Sequence, residues 1–395
     1  MGRDKVLQED IPTAKKKSAS YGKTIRKAVP RDVLSSWTPL SNRRESTSLA
    51  KNAFDRFCAE VTTMADDLSH MPNTGIEVQL CGNAQMANFG IVATSAKRAS
   101  FDILSFDETC RGPWEWDVAR LCASIEICGR VYGFSGSARR SAVRLAARAY
   151  REAMREFANM GTVRMWQASL DVQDLFGKKA VRHAQRRFGK RIAALMRKGE
   201  GQEAMLDLRK SYPGMWEGYC SSLSSKAASV LGSYSMLGAV PVANDKGLEE
   251  FVVLLEGPSK DDVLALGVKE AVESALYRYV AKPSDVNHAQ RVVSGQRVLQ
   301  AREDMFLGWA SCVAPDGTQR DFYARQLDAT AGLAWLKSGD AKTLCKFCKA
   351  CGWTLAHAHA RTGNRHAIAA YLGRSSVFET AMCDFAKAYA RQNEA

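Results

Sequence analysis

Strand-forming sequence falls into two separate blocks of this chain, with helix-forming sequence before, between and after them. In the first block Ile76, Val78 and Leu80 of "IEVQL" alternate as in a half-buried strand. "FGIVAT" and "ASFDILSF" then read as two further strands joined by the polar turn "SAKR". The second block holds "EFVVLLEG", "DDVLALGVKEA" and "RDFYARQL", preceded by Gly232 and Gly238. Around them the apolar residues recur at helical spacing: Phe54, Phe57, Val61 and Met64 within 46–69; Trp116, Leu121, Ala123 and Ile127 after Pro113; Ala146, Tyr150, Met154 and Phe157 within 138–159; and three C-terminal runs. Strands grouped apart from helices predict a helix-rich α+β fold.

The 395 residues, 46% of them hydrophobic, suffice for one large two-lobed domain or two average ones. No run of about 18 apolar residues predicts a membrane span, and "MGRDKVLQEDIPTAKKKSASYGK" lacks the apolar stretch of a signal peptide. Eleven cysteines, an odd number set mostly in apolar runs, suit reduced thiols, so a cytoplasmic location is expected. Residues 1–45 are polar and basic and are expected to form a mobile or loosely docked arm. The net charge of +14 points to anionic partners: phosphates, nucleotides or nucleic acid. A second basic concentration, residues 176–199, reads as a helix with a solvated outer face, and nucleic-acid binding is the lesser reading there.

The chemistry concentrates after the first strand, in "VQLCGNAQMANFG". An aspartate followed five residues later by an asparagine is the catalytic-loop spacing of kinase-like phosphotransferases. Here Asn83 occupies the first position and Asn88 the second. Asn88 fits the role of an amide ligand to magnesium, whereas Asn83 cannot take a proton. An acidic turn follows in "LSFDET", where Ser105 and Asp107 would share a face if extended.

Residues 76–130, with "VKEA", "SGQRVLQ", "FLGW", "RDFYARQL", "CGWTLAHAHARTG", "IAAYLG" and "FAKAYARQNE", resemble the bacterial domain-of-unknown-function family 2252 over most of 22–395. That family's loop, C-G-D-A-H-x-x-N-F-G, is similar to the G-D-x-H-x-x-N loop of aminoglycoside and choline kinases. Against it, this chain has Asn83 for the aspartate and Gln85 for the histidine, and Leu104 and Ser105 open the acidic turn where the family reads N-D. Asn88, Asp107, Glu108 and Asp117 keep the pattern. The resemblance implies a kinase-like two-lobed domain over 46–395. Its catalytic-type lobe would be helical (about 46–225 plus 335–395) and its other lobe β-containing (about 226–334). The lysine expected before the loop appears only after it, as Lys269, so a circular permutation is implied, with Lys269 pairing a nucleotide phosphate, the alternative being a strand-end surface lysine. Arg325, alternating with apolar neighbours in "FYARQL", is a candidate for the same anionic ligand or a surface strand arginine.

Three readings follow from these residues. The first is a kinase-like protein with a degenerate centre that binds a nucleotide without efficient turnover, since the ~10²–10⁴-fold assistance of a general base would be missing. The second is an active Mg-ATP-dependent phosphotransferase using Asp107, Asn88 and Lys269. The third is a basic nucleic-acid-binding module. Cys345, Cys348 and Cys351 have metal-ligand spacing, but Leu344, Cys348, Cys351 and Leu355 also form a helical apolar stripe, which suits core packing.

Overall fold

The computed structural model describes residues 11–37, 50–94, 98–179, 205–244, 247–259, 262–327, 329–331 and 340–394, with a few further positions between 181 and 194. All strand pairing in it is antiparallel, in three sheets. Strands β1 (Glu77–Leu80) and β4 (Cys110–Pro113) form a two-stranded ribbon. Between them β2 (Phe89–Thr94) and β3 (Arg98–Ile103) form the expected hairpin, flanked by the short β5 (Leu170–Asp171). The second block gives a five-stranded sheet of β6 (Ser235–Pro241), β7 (Glu250–Glu256), β8 (Val263–Ala271), β9 (Gly308–Val313) and β10 (Gln319–Gln326), in the order β6-β7-β8-β10-β9. The chain leaves β10 and enters β11 (Ala329–Ala331), which pairs with β2. One short segment thus joins the five-stranded sheet to the hairpin of the first block.

The helices pack for the reason their spacing predicts. Trp114–Val131 is buried along nearly its whole length, and Gly136–Asn159 places Ala146, Tyr150, Met154 and Phe157 in the core. Ala341–Thr362 lies against Gly136–Asn159 so closely that a Cβ on Gly352 would sit 2.1 Å from the carbonyl oxygen of Ala146. These helices share one core with the ribbon and hairpin, and the five-stranded sheet has a second core of its own built on Phe251, Phe322 and Tyr212. The two strand blocks, called the two units below, thus border two apolar cores, the first of which also takes in Ala271, Leu307 and Tyr323 of the second block.

Three expectations are corrected. The stretch expected as a mobile or loosely docked arm, without regular structure, contains a helix, Ile11–Ala28. Arg26 and Arg31 of this segment donate to the carbonyls of Ala370 and Leu372 at the C-terminus of the helix Arg365–Leu372. The predicted 46–69 helix is two helices, Ala53–Ala59 and Val61–Ser69, because Glu60 leaves helical geometry at ψ 71°. The acidic turn is not extended: the N–H of Thr109 closes a turn on the carbonyl of Phe106, so Ser105 and Asp107 do not lie on one strand face.

Candidate functional site

The asparagine loop begins where β1 ends, and one glycine sets its course. Gly82 has φ +80°, and a Cβ there would lie 2.2 Å from the carbonyl oxygen of Glu108. Only a residue without a side chain lets the loop cross the acidic turn this closely. Asp117, in the first turn of the 114–131 helix, fixes the same point: its carboxylate accepts from the backbone N–H groups of Cys81 (2.8 Å) and Gly82 (3.1 Å). It also lies 3.2 Å from Nε2 of His359, whose Nδ1 meets the Tyr150 hydroxyl at 2.9 Å. Asp117 and His359, both matching the resemblance above, are thus buried supports of the loop.

The loop's polar side chains are engaged with the protein. Oδ1 of Asn83 accepts from Nε of Arg120 at 2.7 Å. Gln85, where the histidine was expected, is buried and caps the Met86–Asn88 turn by accepting from the N–H of Ala87. Asn88 donates its Nδ2 to the carbonyl of Asn83 (2.8 Å), and its Oδ1 has no partner among the described residues. Its backbone carbonyl accepts from the N–H of Leu104. Arg325 donates to the carbonyl of that same Leu104 at 2.7 Å, so the hairpin base ties Asn88 to the five-stranded sheet.

Asp107 stands at the centre of the contact between the two units. Oδ2 lies 2.7 Å from Nζ of Lys269 on β8, and Oδ1 accepts from the hydroxyl of Tyr323 on β10 at 2.8 Å. Lys269 and Tyr323 are direct cross-strand partners and so project from the same sheet face. Burial works against ionisation of Asp107, but the adjacent Lys269 ammonium and the two hydrogen bonds outweigh it and hold the carboxyl below its usual range. Burial likewise opposes the charge on Lys269, and the surrounding Tyr323 and Asp107 raise it above its ordinary value. Arg291, on the helix His288–Leu299, donates to the backbone carbonyls of Asp107, Thr109 and Val272 and locks the turn against the second unit. Glu108 faces away, accepting from the N–H of Ala275.

Behind this contact lies a cavity of about 260 Å³. Ala87, Val92 and Leu104 wall it on the loop side, and Gly267, Val268 and Leu327 on the sheet side. Lys269, Tyr323 and Arg325 reach it together with Glu250 and Asp304, and both Asp304 oxygens are occupied by the N–H groups of Phe306 and Gln326. Gln296, Gln300 and Gln326 complete a lining that is mixed in charge and polarity. The cavity beside Glu115 and Trp116 is far smaller, about 20 Å³, enough for one or two waters.

The donor set for magnesium is poor. The implied ligands are Asn88 and Asp107, yet Asp107 is a single carboxylate with both oxygens taken by Lys269 and Tyr323. Among the described residues no group of three or more His, Cys, Asp or Glu is placed to hold a metal ion. Cys348 and Cys351 are fully buried in the apolar core, where burial pushes both thiols well above their ordinary value.

The structure thus brings Asp107, Lys269, Arg325 and, through Leu104, Asn88 to one cleft, while Asn83 turns to Arg120. Of the basic stretch, Lys178, Lys179, Arg182, Arg186, Arg187 and Lys190 are exposed. Sequence reasoning missed Tyr323, Arg291 and Arg120. Tyr323 was recoverable, since it lies two residues from Arg325 on one strand and so shares its face. Arg291 acts on backbone carbonyls, and Arg120 on the Asn83 side chain and the Phe57 carbonyl, all distant in sequence, and no local pattern marks them.

A family described as "Uncharacterized protein conserved in bacteria (DUF2252)" matches residues 43–216 and 242–395. No curated protein and no solved structure matches the chain.

Proposed function

The chain belongs to this bacterial family, and we propose that it is a kinase-like protein that binds a nucleotide in the cleft between its two units and turns it over inefficiently. The observation that carries this reading is the meeting of Lys269 with Asp107 across 162 residues of sequence, at the edge of a cavity that Arg325 also lines. In phosphotransferases a strand lysine holds the phosphates and an acidic turn near an asparagine loop holds the metal. Here the lysine lies on the third of five antiparallel strands in chain order, with the 288–299 helix following that strand. The permuted order (loop first, sheet second) accounts for the lysine's late position.

Two features argue for weak turnover. Asn83 is a neutral amide turned to Arg120, so it offers the loop no base, and the metal ligands reduce to Asn88 and an occupied Asp107. A phosphate entering the cleft would compete with Asp107 for the Lys269 ammonium. Binding should therefore depend on Lys269 more than on magnesium.

Calorimetric titration with ATP, with magnesium and with a chelator, tests this on the parent and Lys269→Met. The parent should bind under both conditions, and the variant should bind at least tenfold more weakly. Failure of the parent to bind ATP in either condition overturns the reading. Magnesium-dependent phosphoryl transfer abolished by Asp107→Asn would instead favour the active phosphotransferase. Salt-sensitive binding of a DNA duplex without ATP binding would favour the nucleic-acid module.

A further inference from the structure

Arg120 is a buried cation, 3% exposed, with no carboxylate within ion-pair distance among the described residues. Its guanidinium is nevertheless fully directed. Nε donates to Oδ1 of Asn83, Nη2 donates to the carbonyl of Phe57 at 3.0 Å, Nη1 faces the sulfur of Met64, and the group lies 4.5 Å above the Phe57 ring. It thereby ties the loop to the two helices Ala53–Ala59 and Val61–Ser69. A guanidinium has donors only, so the Asn83 amide must present its oxygen to it, and the orientation of that amide is settled by chemistry. The backbone carbonyl of the same Asn83 receives the Asn88 side chain. One residue thus passes the position of Arg120 on to Asn88.

We infer that position 83 is the anchor of this buried arginine, and that a carboxylate placed there would close an ion pair with Arg120 in place of serving as a proton acceptor for a substrate. Position 83 is a positioning residue: its side-chain oxygen is taken by Arg120 and its carbonyl holds Asn88. The inference deepens the nucleotide-binding reading and rests on it only where turnover is concerned. The Glu108 and Asp117 carboxylates already act on Arg120 from beyond ion-pair distance; an aspartate at 83 would add a direct ion-pair partner to them, and it leaves the reaction without a base.

The test uses the full chain and Asn83→Asp, Asn83→Ala and Asn83→Leu. Asn83→Asp should raise the thermal midpoint by about 2 °C at pH 7, a gain that shrinks below about pH 5 as the paired carboxylate protonates. The side-chain carboxyl carbon of that variant, followed by NMR, should titrate below the ordinary aspartate range. Asn83→Ala and Asn83→Leu should lower the midpoint, because each leaves Nε of Arg120 buried without an acceptor. No variant should gain phosphoryl transfer from ATP. A carboxyl that titrates normally, a midpoint unchanged or lowered in Asn83→Asp, or turnover appearing in that variant would each overturn the inference. Absence of ATP binding in the parent would remove the nucleotide reading alone, since the melting and titration measurements need no ligand.

Discussion

Glu115 illustrates how a buried carboxyl can set the pH response of the whole protein. It is 7% exposed, its Oε1 accepts from the N–H of Thr74 at 2.7 Å, and its Oε2 is buried without a partner. Burial pushes its pKa up to about 7, against an ordinary value of 4.5. A carboxyl raised on folding binds more protons in the folded state between those two values, so stability falls as pH rises through that window. The folded protein should therefore lose up to about 3 kcal/mol between pH 4.5 and 7.5 from this residue. Asp102, also buried and raised to about 6, acts in the same direction. Glu115→Gln removes the titration while keeping an acceptor for Thr74. Denaturant unfolding at pH 5 and pH 8 should show the parent less stable at the higher pH, with the difference clearly reduced in the variant. Asp107 has the opposite sign. Its depressed carboxyl stabilises above the ordinary aspartate range, and that contribution is lost as pH falls.

At the scale of elements, two glycines near the cleft separate geometric need from tolerance. Gly82 combines φ +80° with backbone 2.2 Å from its missing Cβ. Gly82→Ala should destabilise by about 3 kcal/mol or more, since both the conformation and the crossing resist a side chain. Gly267, in mid-strand on β8, has ordinary φ and, among the described residues, only the Leu327 side chain, at 3.6 Å, near a would-be Cβ. Gly267→Ala should leave stability within about 1 kcal/mol of the parent or raise it. Paired thermal melts check both. The same contrast explains how much of the architecture was legible. Strands β2, β3, β7, β8 and β10 and the long helices announced themselves because alternation and helical spacing are local signals. Asp107, Lys269 and Arg325 were legible as chemical types, while their meeting was supplied by the antiparallel register of β8 with β10 and by the turn at Phe106–Thr109. The break at Glu60 and the helix at 11–28 were hidden. The first is a single backbone excursion, and the second draws its support from a helix some 340 residues away.

At the scale of the molecule, the N-terminal helix closes the C-terminal bundle. Gly22 sits so close to Ala367 that a Cβ would lie 2.2 Å from its carbonyl oxygen, and Ile25 is buried there. Arg26 and Arg31 satisfy carbonyls that the 365–372 helix leaves open at its end. Deleting residues 1–31 should therefore lower stability by about 2 kcal/mol or more through lost packing and uncapped carbonyls. Chemical denaturation of the truncated chain checks this, and a chain equally stable without the segment would show that the docking contributes nothing. The order of the strands has a further consequence, one of timing. The first core is begun by residues 25–172, takes in a few of 271–323, and is finished by the helices of 341–394. The five-stranded sheet between them pairs mostly within residues 235–326. During synthesis at about 5–20 residues per second, the first half therefore waits on the order of ten seconds or longer for the segment that covers it. The sheet unit can complete itself in that interval. The earlier-made side of the first core is thus the last to become watertight.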